Sequence, residues 1–317
     1  MSGEKTPPDI LIEVGPEQTR VVVAENGSPV ECRIERAGTR SEIGDIHLGR
    51  VKKVVPALDA AFVDIGGAAP GFLAVMPVGI HSHDRQKVRE GEAIVVEVVR
   101  DAAEGKGPKL AQREDVKPEA GIRPPHILHQ EPALMLRTLR DWQGPIGRIL
   151  VGDMAAFGDL KRFCRDFRPD LLPKLSHCRE GGVMDTDGIA DRLDELLGSW
   201  VALPSGGRIN IAPTAALVAI DVDTGGDSSA GTLKDTVLRV NTEAAFEIAR
   251  QLRLRDVKGL VVVGFVAMRA RADRERVLVA LKRVTAADPD GINVGGFTRF
   301  GLVELIRRYS RKPGSSS

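Results

Sequence analysis

Asp221 and Asp223 stand two residues apart at the end of an apolar run, Ala216 to Asp223, that reads as a strand. Strand alternation puts both carboxylates on one face and Val222 on the other. Two carboxylates at a strand end can hold a hard cation, because Mg²⁺ uses one or two carboxylates together with waters and substrate phosphates. The same Asp-x-Asp pattern also serves as plain strand-end polarity ahead of a Gly-rich loop, here Gly225-Gly226-Asp227-Ser228-Ser229. A second candidate set is aromatic. Phe62 and Phe72 are two of only nine phenylalanines and fall on neighbouring strand-like segments. Such rings either pack in a core or offer bases a stacking platform, for which Lys106 and Lys109 would supply charge.

The elements that must position these residues follow from punctuation and periodicity. A hairpin from Trp200 to Ile211, turning on Pro204-Ser205-Gly206-Gly207, leads into the Asp221 strand. A helix is predicted from about Thr232 to Arg255, Gly259 stops it, and Leu260 to Val266 reads as the next strand. With parallel pairing this is a βαβ unit, and the C-terminal ends of both strands lie at the edge where open α/β sheets bind ligands.

Upstream, Ile10 to Val14, Arg20 to Ala24 and Val30 to Arg36 form a meander punctuated by Gly15-Pro16 and Asn26-Gly27. Short strands continue at Gly49 to Val54, Ala60 to Ile65, Gly71 to Val75 and Ala93 to Arg100, at intervals that suggest a small barrel. The polar, Pro-rich stretch 112–125 reads as a connector. Beyond it the pattern turns to α/β, with a helix at Pro132 to Arg140, a strand at Arg148 to Val151, a helix capped by Asp153 and another at Ile189 to Leu197.

Composition narrows the class. The chain has 317 residues, 42% of them hydrophobic, with 45 Lys+Arg against 44 Asp+Glu. Its longest apolar stretch, Gly259 to Met268, falls short of the roughly 18 residues of a bilayer helix, and Met1 to Ile10 lacks signal-peptide character. A cytoplasmic protein with no membrane partner is expected. Cys32, Cys164 and Cys178 form neither a disulfide framework nor a zinc ribbon, so no zinc is expected. The near-neutral total hides an asymmetry: Arg250 to Lys312 holds 15 basic and 6 acidic residues. That block is either a solvated surface or a phosphate-facing one. No internal repeat is visible, and the tail 312–317 is expected to be disordered.

Several longer motifs occur in one order: Gly49-Arg50-Val51, Ala60-Ala61-Phe62-Val63-Asp64-Ile65-Gly66, Leu203-Pro204-Ser205-Gly206-Gly207 and Ala219-Ile220-Asp221-Val222-Asp223. Asn241-Thr242-Glu243-Ala244-Ala245, Glu247 to Asp256, Gly259 to Phe265 and Arg299-Phe300-Gly301-Leu302 follow. Together they resemble the bacterial ribonuclease E/G family from about Ile10 to Arg308. The resemblance implies an α/β fold with a split RNase H-like subdomain (1–40 and 126–197). It places an inserted OB-type RNA-binding barrel at 41–111, the connector at 112–125 and a DNase I-like catalytic-type subdomain at 198–311. It further implies that Asp221 holds Mg²⁺ with a second Asp on the neighbouring strand, and that the position of Asp223 is an Asn orienting the site. Phe62, Phe72 and a Lys matching Lys106 would hold single-stranded RNA, with Lys109, Arg299, Arg307 and Arg308 adding positive charge.

The chain departs from that pattern. The second metal-binding Asp falls at Gly264, and the acidic position three residues on is Ala267. Asp223 in place of Asn keeps two carboxylates, now on one strand, as candidate metal and catalytic ligands. The connector is too short to house the family's subdomain that reads the 5′-monophosphate of RNA, so no preference for that end is expected. The family's Cys-based zinc link follows the stretch matched here, and a zinc-linked tetramer is not expected. Three functions stay open: a minimal Mg²⁺-dependent endoribonuclease, an RNA-binding protein that has lost the reaction, and a protein-binding scaffold.

Overall fold

The computed structural model describes residues 6–38, 40–74, 88–102, 105–178, 182–225 and 232–308. The tail 312–317 and most of the Gly-rich loop, 226–229, lie outside the described residues. Two compact units are present: one joins 1–39 to 134–317, and the other is 40–133.

The first unit opens with β1 (Asp9–Val14), β2 (Gln18–Glu25) and β3 (Ser28–Arg36), the predicted antiparallel meander. Asn26 and Gly27 both take positive φ, 51° and 71°, as a two-residue hairpin turn between β2 and β3 requires.

The second unit is a barrel of β4 (Ile46–Val55), β5 (Ala60–Asp64), β6 (Gly71–Ala74), β7 (Ala93–Arg100) and β8 (Lys109–Gln112), with β9 (His126–His129) added to β4. The strands run in the order β5-β6-β8-β7-β4, and pairing of β4 with β5 closes the ring. This is an OB-like barrel, filled by Val51, Ala61, Val63, Leu73, Val96, Val98 and Leu110. Gly49 makes the closure possible, because a Cβ there would lie 2.5 Å from Val63 Cγ1 and 3.1 Å from the Asp64 carbonyl. The sequence-based boundary needs correction here. Residues 126–133 belong with the barrel, through the pairing of Ile127 and His129 with β4, and not with the following α/β segment. A four-residue strand carries too little alternation to declare its sheet.

The first unit resumes with α1 (Leu134–Asp141), β10 (Ile149–Val151), α2 (Met154–Phe167), β11 (Leu175–His177) and α3 (Ile189–Leu196). β10 and β11 add in parallel beside β1, giving the five-stranded order β11-β10-β1-β2-β3. Asp153 caps α2 as expected, accepting from the Ala156 N–H at 2.8 Å. Then come β12 (Trp200–Ala202), β13 (Arg208–Pro213), β14 (Val218–Asp223), α4 (Leu233–Leu254), β15 (Gly259–Gly264), α5 (Arg271–Thr285), β16 (Ile292–Phe297) and β17 (Leu302–Arg307). They build a six-stranded sheet in the order β12-β13-β14-β15-β17-β16, in which β14 and β15 are parallel across α4.

Burial in this second sheet alternates strictly. Ile209, Ile211, Ile220, Val222, Val261, Val263, Val303 and Leu305 pack against Val240, Ala244, Ile248 and Leu252 of α4 and Val277 and Leu281 of α5. The intervening residues face away from the helices, and Arg208, Asp221, Leu260 and Ile306 among them are exposed. None of the described helices is long and apolar enough to cross a membrane. Cys32 and Cys164 are buried, and burial pushes the Cys32 thiol up to about 11.

Candidate functional sites: a barrel face and a strand-end centre

On the barrel, Phe62 and Phe72 are direct cross-strand partners on β5 and β6. Their neighbours Ala61, Val63 and Leu73 point inward and are at most 2% exposed, so alternation turns both rings to the outer surface, half-buried. The rings meet edge to face, with centroids 6.0 Å apart and planes at 75°. Lys109 on β8 pairs with Phe72, and Lys53 on β4 pairs with Phe62. A row Lys53–Phe62–Phe72–Lys109 therefore crosses four strands, about 15 Å from end to end at ordinary strand spacing. Both lysines are exposed.

Lys106 is exposed on the loop before β8. Gly107 lets that loop lie against the barrel, since a Cβ there would come within 2.0 Å of the Pro70 carbonyl oxygen, two residues before Phe72. Sequence reasoning missed Lys53. A register shift between Val51 and Lys53 leaves Lys52 and Lys53 both exposed, which plain alternation does not suggest. Lys52 is engaged with Asp64 at 3.1 Å, whereas Lys53 makes no ion pair among the described residues.

The strand-end centre forms where the sequence placed it. Asp221 on β14 lies opposite Gly264 on the parallel β15. A Cβ built on Gly264 would sit 3.3 Å from Asp221 Oδ1, so the Asp221 carboxylate leans over the position at which the neighbouring strand has no side chain. The Asp221 carboxylate is exposed and makes no hydrogen bond or ion pair with the described residues. Ala267, also exposed, adds nothing ionic. Downstream of β15 the backbone is pinned by Asn241 of α4, which is fully buried. Its amide donates to the Val266 carbonyl and accepts from the Val266 N–H, each at 2.9 Å.

Asp223 is in a different state. Its Oδ2 accepts from Nε and Nη2 of Arg208 at 3.1 and 2.9 Å, and its Oδ1 accepts from the Gly225 N–H at 3.0 Å. The Gly225 N–H and then Arg208 hold the carboxyl below the usual carboxylate range. Arg208 is placed by the hairpin register, directly opposite Asp223, and its guanidinium lies over the exposed Trp200 ring at 4.2 Å. The turn behind it is tightly built: a Cβ on Gly207 would meet the Asp223 carbonyl at 2.9 Å, and one on Gly225 the Gly206 carbonyl at 2.3 Å.

These residues do not fit a divalent ion well. No group of three or more His, Cys, Asp or Glu that could hold a metal exists among the described residues. Of the two candidate carboxylates, one is already neutralised by a guanidinium.

The C-terminal basic block divides sharply. Arg307, expected among RNA-facing cations, is fully buried. Its guanidinium donates to Asp288 at 3.0 Å, to Asp256 at 3.2 Å and to the Leu252 and Val257 carbonyls, and it pairs with Asp290 at 2.7 Å. It holds the first unit together and cannot reach a ligand. Lys258 is bonded to Asp290, while Arg255 donates to the Leu196, Leu197 and Gly198 carbonyls at the end of α3. Arg299 and Arg308 remain exposed, Arg299 stacked on the 76% exposed Phe300 at 4.6 Å.

The closed barrel with a paired aromatic face and the parallel β14–α4–β15 unit ending in Asp221 agree with comparison to known proteins. Residues 98–310 match the model of the ribonuclease E/G family, and the chain belongs to that family. It is 28% identical to ribonuclease G of Haemophilus influenzae and to ribonuclease G of Escherichia coli strain K12, over 96% of this chain and 80% of each relative. Ribonuclease E of a Nostoc species is 30% identical over 84% of this chain and 51% of its own length. The ribonuclease G alignments run over 392 positions against 317 residues here, so those relatives carry residues without a counterpart in this chain.

Proposed function

We propose that this chain binds single-stranded RNA, in cytoplasmic RNA processing or decay, and that its strand-end centre no longer performs metal-dependent phosphodiester cleavage. The observation that carries the reading is the row Lys53–Phe62–Phe72–Lys109. Two adjacent ring faces flanked by cations offer bases a stacking surface and phosphates a counter-charge, which is how sequence-tolerant single-strand binding works. Lys106 extends the positive edge, and Arg299 with Phe300 and Arg308 adds exposed cationic surface on the other unit. In this reading the five-stranded sheet with α1 to α3 is the RNase H-like part and the six-stranded sheet with α4 and α5 the DNase I-like part.

The geometry of the strand-end centre supports this reading. Phosphoryl chemistry at a metal needs ligands held to within a fraction of an ångström, and a 1 Å misplacement can lower the rate about 100-fold. Here Gly264 supplies no ligand and Asp223 is bound to Arg208. A second reading, a minimal Mg²⁺-dependent endoribonuclease using Asp221 and Asp223, is favoured by one observation: the exposed Asp221 carboxylate, which has no partner among the described residues. Binding and cleavage of a labelled single-stranded RNA, measured together with Mg²⁺ or chelator, separate the two. Binding that survives chelation without cleavage in Mg²⁺ supports the first. Cleavage that needs both Mg²⁺ and Asp221 establishes the second.

A further inference from the structure

We infer that Arg208 is the resident cation of the strand-end centre and closes it to divalent metal ions. This rests on the reading that the centre is retired from cleavage, and it names what occupies the position instead.

The engagement of Asp223 is complete on one oxygen and half complete on the other. Oδ2 accepts two guanidinium N–H groups, using both of its lone-pair directions, and Oδ1 accepts a backbone N–H. A hard cation on Oδ2 would have to displace its donors, and one on the remaining lone pair of Oδ1 would sit beside a permanent positive charge, since arginine does not lose its proton in proteins. The guanidinium is itself held from a third side by the indole of Trp200, a contact that favours a cation over the ring. Trp200, Arg208 and Asp223 thus form a stack on the helix-free face of the sheet, one strand-row from Asp221. Asn210 occupies the intervening position, since it pairs with both Trp200 and Asp221. Its amide makes no hydrogen bond with the described residues, and it brings no negative charge that could draw a metal back. Across the sheet Gly264 removes the remaining ligand position.

An exposed ion pair is often energetically small, so the distinguishing claim is electrostatic exclusion and not stability. Mn²⁺ is the probe, read by electron paramagnetic resonance and by calorimetry on the full chain. Wild type is expected to bind Mn²⁺ no better than an unrelated protein of similar charge. Arg208→Ala should bind about tenfold more tightly or better, because it removes a positive charge adjacent to the ligand carboxylate. Arg208→Gln keeps a polar stem without the charge and should match it, which covers the case in which the alanine variant fails to fold. Asp221→Asn or Asp223→Asn in the Arg208→Ala background should abolish the gain. Unchanged Mn²⁺ affinity in folded Arg208→Ala and Arg208→Gln would overturn the inference while leaving RNA binding at the barrel untouched. Tight wild-type Mn²⁺ binding that depends on Asp221 and Asp223 would overturn it together with the retired-centre reading.

Discussion

Replacing Phe62 and Phe72 by alanine, singly and together, tests the barrel face at its paired rings. A base stacked on an aromatic side chain contributes about 1–3 kcal/mol, so each single variant should bind single-stranded RNA about 5- to 150-fold more weakly. The ring centroids lie 6.0 Å apart in an edge-to-face pair, so the two losses need not add. If each ring carries its own base, the double variant should lose about 2–6 kcal/mol; if one base bridges the pair, it should fall little below the weaker single variant. Their edge-to-face contact also contributes about 0.5–1.5 kcal/mol to the fold. Melting curves must therefore accompany the fluorescence-anisotropy titrations. Lys53→Gln and Lys109→Gln should each lower the slope of log affinity against log salt by about 0.7, if each lysine neutralises one phosphate of a single strand. Folded alanine variants whose affinity changes by less than about twofold would refute the stacking platform, and an unchanged salt slope would remove the two lysines from it.

Four further outcomes are expected. Arg307→Ala should destabilise the first unit by about 3–5 kcal/mol in urea, because it strands the buried carboxylates of Asp288 and Asp290; a loss below about 1 kcal/mol would contradict the structural role given to this residue. Burial alone would raise the Asp290 carboxyl, but Arg33, Lys258 and Arg307 outweigh it and hold the group below the usual carboxylate range. A carboxylate depressed in the folded state stabilises the fold above its unfolded value, so urea midpoints should hold from pH 7 to about 5 and decline from about 4 downward. A midpoint that rises on acidification would reverse the sign. Gly107→Ala should weaken RNA binding without unfolding the first unit, since its Cβ collides with the Pro70 backbone and displaces the Lys106 loop; equal affinity would show that the loop takes no part. RNAs differing only in a 5′-mono- or triphosphate should bind equally, and a strong preference in competition titrations would refute that expectation.

Much of the fold was legible because local chemistry and tertiary structure agree. Asn26-Gly27 specified a hairpin, Asp153 a helix start, and the run from Ala216 through Gly259 a βαβ unit whose parallel pairing brings Asp221 to the sheet edge. The phenylalanine pair was legible as a choice between core and surface. Only the burial of Ala61, Val63 and Leu73 on the alternate positions settles it. Other features depended on register, which a sequence specifies through partners far away. The Arg208–Asp223 pair needs the β13–β14 register, and Lys53 reaches Phe62 only through a shift in β4. Arg307 looked like one more surface cation in a basic block. It is buried because β17 alternates from Val303 inward and because Asp256, Asp288 and Asp290 gather around it from two separate loops. Net charge along the chain cannot show that pairing, which is why the block exaggerated the positive surface.

On the proposed function, RNA binding has outlived metal-dependent cleavage. The most direct measurement incubates the full chain and its Asp221→Asn variant with an end-labelled single-stranded RNA in Mg²⁺, Mn²⁺ or chelator, and resolves bound and cleaved RNA in the same samples. The proposed function requires equal binding by both proteins in all three conditions and intact RNA throughout. Cleavage by the wild type in Mg²⁺ that disappears with chelator and with Asp221→Asn would contradict it.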